Sequence, residues 1–133
     1  MINILLIEDD EGDIFLIKKT IKKAHMKSNI IVVTAGDEAL HVLKQQQHEI
    51  DFIITDINMP RMNGHEFLAE VQKDDELKKI PIAVLTNSWE SEDYVKSMEL
   101  DAVSCLPKPL DEKKLKKILN SMVEFWKNAD NID

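Results

Sequence analysis

Five short apolar runs recur along the chain: Ile2–Ile7, Ile30–Thr34, Phe52–Thr55, Ile82–Thr86 and Ala102–Leu106. Continuous runs of this length, rich in Ile, Val and Leu, suit strands buried on both faces of a parallel sheet. Between them the apolar positions take a helical period. Ile14, Ile17, Ile21 and Ala24 form one stripe, with Lys18, Lys19, Lys22 and Lys23 on the wet face. Ala39, Leu40 and Leu43 form a second stripe, and Phe67, Leu68 and Val71 a third. Leu115, Ile118, Leu119, Met122 and Trp126 form the last. Residues 91–100 carry only Tyr94, Val95 and Met98 as a weaker helical signal before Leu100. The pattern therefore reads strand–helix five times. It predicts a single α/β domain in which right-handed crossovers place helices on both faces of a five-stranded parallel sheet.

Composition narrows the classes that remain. The chain has 133 residues, 17 Lys and Arg against 25 Asp and Glu, and a formal net charge of −8. That surplus argues against nucleic acid as a ligand, since such binders carry clustered basic surface. The one cysteine, Cys105, cannot form an internal disulfide, and a zinc site would lack its usual thiolates. His25, His41, His48 and His65 lie on separate segments without metal-ligand spacing and are expected at the surface. Three glycines and four prolines, where average usage would give roughly 16 together, imply short turns. The N-terminus lacks the charge and long apolar stretch of a signal peptide, and no run approaches the ~20 residues that span a bilayer. A cytoplasmic protein without membrane contact is expected. Residues 1–127 are read as the domain and 128–133 as a polar tail.

The candidate chemistry sits where each apolar run ends. Glu8 and Asp9 follow the first, Asp56 the third, Thr86 closes the fourth and Lys108 follows the fifth. Parallel strands bring these ends to one edge, where open α/β sheets bind ligands. Two carboxylates about 4 Å apart repel by roughly 4 kcal/mol at an effective dielectric near 20. Lys108 offsets part of that repulsion, and a divalent cation with hard oxygen ligands would offset more. Mg²⁺ typically takes one or two carboxylates and bridges to phosphate oxygens. Carboxylates, Mg²⁺ and a lysine suit phosphoryl transfer, and a carboxylate can itself accept the phosphoryl group. Asp56, on the central third strand and facing the others, is the natural acceptor. Taken alone, Glu8-Asp9-Asp10 would be an ordinary acidic helix start, and Asp10, Glu11 and Asp13 are left with that role.

These pieces, in this order, resemble the receiver domain of two-component response regulators over the whole chain. They are Glu8-Asp9, the stretch Asp56-Ile57-Asn58-Met59-Pro60-Arg61-Met62-Asn63-Gly64, Thr86, and Lys108-Pro109. The resemblance implies a flavodoxin-like, doubly wound fold with strand order 2-1-3-4-5. It implies that Asp56 takes a phosphoryl group from a histidine kinase or phosphotransfer protein. Asp9, Asp56 and the backbone carbonyl of Asn58 would ligate Mg²⁺, with Glu8 acting through water. Lys108 would pair with the phosphoryl oxygens, and Thr86 would move to bond them, shifting the face of the fourth helix, fifth strand and fifth helix. Gly64 would let the chain turn into the third helix. The chain ends where an output domain would begin, so a downstream protein target is expected, with no DNA binding and a homodimer left open. The segment Leu85–Asp93 and the Phe125-Trp126 ending are similar to stand-alone regulators paired with bacteriophytochrome-type kinases.

Rival functions fit less well. An aspartyl-phosphate hydrolase would want a second Asp two residues after the nucleophile, where Asn58 stands. A flavin-binding relative would need a Ser/Thr/Gly-rich loop after the first strand in place of Glu8-Asp9-Asp10. A calcium loop would alternate acids with Gly. The chain is read as a signalling phosphoacceptor and not an enzyme. The remaining alternative is a phosphate-independent pseudo-receiver acting as an interaction module. Two positions depart from the family pattern. Cys105 stands where many receivers carry Tyr or Phe, and is expected to be a small buried hydrophobe. Asn87 stands where the family usually has a smaller residue. Its size predicts a phosphoryl half-life unlike that of small-residue receivers. Asn87→Ala is expected to lose its phosphate adduct at a different rate from wild type, and equal decay rates would overturn that expectation.

Overall fold

The computed structural model describes residues 2–24, 27–46, 49–58, 62–86, 99–100, 102 and 104–128, with backbone alone at 46 and 125–128. Five parallel strands form one sheet in the order β2-β1-β3-β4-β5. They are β1 (Ile2–Ile7), β2 (Ser28–Val33), β3 (Phe52–Asp56), β4 (Ile82–Thr86) and β5 (Ser104–Pro107). Four α-helices are described: α1 (Glu11–Lys23), α2 (Gly36–Gln46), α3 (Gly64–Gln72) and α4 (Glu112–Asn128), with a 3₁₀ turn at Leu77–Lys79. The fold class and strand order expected from the sequence are therefore present. The weak helical signal over 91–100 falls outside the described residues except at Glu99 and Leu100, as do Trp89, Asn87 and the side chains of Phe125 and Trp126.

Alternation along the strands divides the interior into two layers. Leu5 and Ile7, Ile53, and Ile82 and Val84 face α2 and α3, packing on Ala39, Leu43, Phe67, Leu68 and Val71. Ile4 and Leu6, Phe52 and Ile54, and Ala83 and Leu85 face the other way, onto Ile17 and Ile21 of α1 and Leu115, Leu119 and Met122 of α4. A strand with helices on both sides must be apolar at every position, so these runs are continuous.

Two strand boundaries depart from the apolar runs. β2 begins at Ser28, pairing with Ile2, and the polar Ser28 and Asn29 belong to the strand. β2 is an edge strand and mostly half-exposed, so its start needs no apolar side chains. β5 begins at Ser104 and extends through Pro107, because its partners on β4 are Ala83 through Thr86. Proline is tolerated there, since an edge strand has one side without a ladder.

Local chemistry sets how α1 and α3 leave the sheet. Asp10 caps α1, its Oδ1 accepting from the Asp13 amide at 2.9 Å. Asn63 caps α3 in a reciprocal capping box. Its Oδ1 accepts from the Glu66 amide at 2.9 Å, while its own amide donates to Glu66 Oε1 at 3.0 Å. The Gly64 amide then donates to the Ile57 carbonyl at 2.8 Å, tying the start of α3 under the end of β3. The role expected for Gly64 needs correction. No glycine has positive φ, so conformational freedom is not what the position requires. What it requires is space: a Cβ there would lie 2.7 Å from the Asp56 carbonyl oxygen and 2.7 Å from Ile57 Cα. Both are backbone atoms and cannot swing aside. Gly64→Ala is therefore expected to lower the unfolding free energy by about 1–3 kcal/mol, read as a lower denaturant midpoint at unchanged m-value.

Candidate functional site

The sheet reverses direction between β1 and β3, since the chain goes from β1 to β2 on one side and then back to β3 on the other. That reversal leaves a crevice beyond the carboxyl ends of β1 and β3. Glu8 continues the ladder one residue past β1, its amide donating to the Val33 carbonyl at 3.0 Å. Asp56 is the last residue of β3, and Ile57 donates to the Leu85 carbonyl at 2.9 Å. Thr86 ends β4 and is buried, and its carbonyl accepts from the Lys108 amide at 2.7 Å. Each side chain is thus carried by a backbone already fixed in the sheet.

The carboxylates of Glu8, Asp9 and Asp56 each place an oxygen within 4.8 Å of the others. Glu8 has no exposed surface and Asp56 is only 2% exposed, whereas Asp9 is exposed. Glu8 Oε2 folds back to accept from the amides of Asp9 at 3.0 Å and Asp10 at 3.1 Å. Asp56 Oδ1 accepts from the Asn58 amide at 3.2 Å. The Lys108 ammonium sits among them, 2.6 Å from Glu8 Oε1, 2.9 Å from Asp13 Oδ2 and 3.3 Å from Asp56 Oδ2. The contact to Glu8 is charge to charge. Inside this buried site the ammonium is the partner of Oε1.

Burial pushes the Glu8 carboxyl above the usual glutamate range, and the charge of Asp56 adds to this. Lys108 and the Asp10 amide oppose the shift without cancelling it. For Lys108, desolvation disfavours the charged form, but contacts with Glu8, Asp13 and Asp56 outweigh it and hold the ammonium above the ordinary lysine range. The lysine is charged at neutral pH, and the pocket around it remains short of positive charge. Hard oxygen donors and a surplus of negative charge together fit a divalent cation of the Mg²⁺ type.

Every described residue expected at the site lies at this edge. Cys105, three residues before Lys108, is buried in the layer shared with Val84 and Ala102, as expected for a small hydrophobe. Two residues were assigned wrongly or missed. Asp13, read as part of a solvated helix start, is a direct partner of Lys108. Nothing in the sequence separates it from an ordinary acid in a first helical turn. His65, expected at the surface, is buried, because the first turn of α3 is drawn under the end of β3. His41 is exposed as expected; His25 and His48 lie outside the described residues.

Known proteins share this fold. The chain is 34% identical over 128 residues to response regulator Rcp1 of Synechocystis sp., covering 92% of this chain and 87% of that protein. The Mn²⁺-bound crystal structure of Rcp1 superposes with a TM-score of 0.79 at 30% identity, covering 100% of this chain and 98% of the other. The phosphorylated cyanobacterial phytochrome response regulator RcpA gives a TM-score of 0.79 at 32% identity, with 93% and 92% covered. Residues 4–120 match the response regulator receiver domain. With the sheet order, the strand-end carboxylates and the lysine already in place, these likenesses make the chain a member of the receiver domain family of two-component response regulators.

Proposed function

We propose that Asp56 is the phosphoacceptor of this receiver. The observation that carries the reading is the placement of a nearly buried Asp56 at the end of the central strand, with Lys108 at 3.3 Å and two further carboxylates at hand. In the transfer, a carboxylate oxygen of Asp56 forms a bond to phosphorus as the P–N bond of a partner's phosphohistidine breaks. The electron pair stays on the imidazole nitrogen. Such transfers depend on positioning and charge neutralisation more than on covalent machinery. Asp56 is held for this by the sheet and by the Asn58 amide on Oδ1, and the Lys108 ammonium faces Oδ2 where phosphoryl oxygens would gather.

Asp9, Asp56 and the Asn58 backbone carbonyl would hold Mg²⁺, with Glu8 acting through water. When bound, the ion supplies the positive charge that neutralises the phosphoryl oxygens. The hydroxyl of Thr86, one residue beyond the position paired with Asp56, would report phosphorylation by moving to the phosphoryl group. The partners proposed are a sensor histidine kinase or phosphotransfer protein upstream and a protein target downstream. Among the described residues, no helix is long and apolar enough to cross a membrane, and the compartment proposed is the cytoplasm. Residues 1–127 are proposed as the switch itself, a phosphoacceptor and not an enzyme acting on a separate substrate.

Acetyl phosphate and Mg²⁺ are expected to add one phosphate to the wild-type chain, seen by intact mass. Asp56→Asn should show none, and a similar yield in that variant would overturn the acceptor assignment. Mg²⁺ alone should stabilise the fold by about 2.7 kcal/mol at a concentration 100 times its Kd. Asp9→Asn should lose most of that gain in a thermal melt titrated with Mg²⁺, and an undiminished gain would remove Asp9 from the metal set.

A further inference from the structure

An ammonium has three N–H donors and no acceptor. Around Lys108, three carboxylate oxygens already lie within 3.3 Å, from Glu8, Asp13 and Asp56. A phosphoryl group on Asp56 would bring further oxygens to the same ammonium, so an existing partner must yield. The three differ in what their release would cost. The Glu8 side chain has no exposure, so abandoning it would leave an uncompensated charge inside the protein. Asp56 is the reacting group and moves with the phosphoryl oxygens. The Asp13 side chain is 21% exposed, so water can take over the hydrogen bonding that Lys108 gives up. Asp13 also stands outside the set of carboxylates gathered for a cation, which comprises Glu8, Asp9 and Asp56.

Resting on the reading of Asp56 as phosphoacceptor, we propose that Asp13 is a positioning residue that restrains Lys108 in the unphosphorylated state and is the partner displaced when the phosphoryl group arrives. Asp13 competes with the incoming oxygens for the one ammonium that faces them. Its contact at 2.9 Å is shorter than that of Asp56 at 3.3 Å, so the resting lysine is held closer to Glu8 and Asp13 than to Asp56. Asp13 lies in the first turn of α1, and its amide is the one that Asp10 caps. Loss of the lysine contact therefore acts on the start of α1, a part of the domain away from β4 and β5. Phosphorylation of Asp56 would be felt there through Lys108.

The test uses the full chain, Mg²⁺ and acetyl phosphate, with the initial rate of phosphate addition followed by intact mass. Asp13→Asn, which keeps shape and removes charge, is expected to be phosphorylated roughly two- to fivefold faster, the range expected for removing one partly exposed ion-pair partner. Asp13→Glu should restore a rate near wild type. In a Lys108→Met background, Asp13→Asn should make no difference, because the effect passes through the lysine. A general gain from neutralising a negative charge near an anionic donor would instead appear in both backgrounds and would overturn the proposal. So would an unchanged or slower rate in Asp13→Asn. Asp13→Ser serves as a second neutral variant, and circular dichroism melts identify any variant that has lost the fold. Adduct that requires Asp56 but is indifferent to Asp13 removes the role of Asp13 alone. Adduct absent from wild type, or undiminished in Asp56→Asn, removes the acceptor reading and this inference with it.

Discussion

One ammonium among buried carboxylates is the constraint on which this structure turns. Glu8 and Asp56 have almost no solvent exposure, and the only cation within contact distance of them among the described residues is Lys108. The parallel sheet itself creates the problem. Strands running in one direction bring all their carboxyl ends to one edge, and this chain places an acid at the ends of β1 and β3. An isolated carboxylate in such a place would take up a proton. The upward shift of Glu8 shows how far burial pushes in that direction, and the upward shift of Lys108 shows what opposes it. The site thus binds its lysine strongly and remains underneutralised, which is the condition for attracting a divalent cation.

The two packed layers keep that arrangement from relaxing. A buried charge cluster is weak evidence for stability and more often costs it. The offset comes from elsewhere: every strand position from Ile4 to Ile7 is fully buried, as are Phe52, Ile53 and Val84. Interiors packed to this density do not deform continuously, so the strand ends are fixed points from which short side chains reach inward. Preorganisation of this kind spares reorganisation when charge develops at the site.

What was legible in the sequence follows from the same physics. Strands buried on both faces must be apolar throughout, so β1, β3 and β4 could be read almost to the residue. The edge strands β2 and β5 carry that requirement only weakly, and their starts were displaced by two residues. The site residues were legible because polar groups that interrupt an apolar run at its end need a reason to be there. Asp13 was not, because an acid in a first helical turn already has an ordinary explanation. Nor was the burial of His65, which depends on how closely α3 approaches the end of β3. Gly64 was found for the wrong reason. Its position was marked by the motif, but only the backbone contact with Asp56 and Ile57 shows that it clears space.

The length of the Glu8 side chain ties these observations together. One of its oxygens turns back to the amides of Asp9 and Asp10, at the point where β1 gives way to α1. The other meets Lys108. A single buried residue therefore fixes the turn that delivers Asp9 to the crevice and Asp10 to the cap of α1, while holding the ammonium that faces Asp56. Because Asp10 in turn orients the helix turn bearing Asp13, the backbone path and the charge network close on each other through Lys108. A charge added at Asp56 has no unoccupied donor to receive it on this ammonium. It must rearrange the network, and a network joined to the start of a helix transmits that rearrangement as structure rather than as field alone.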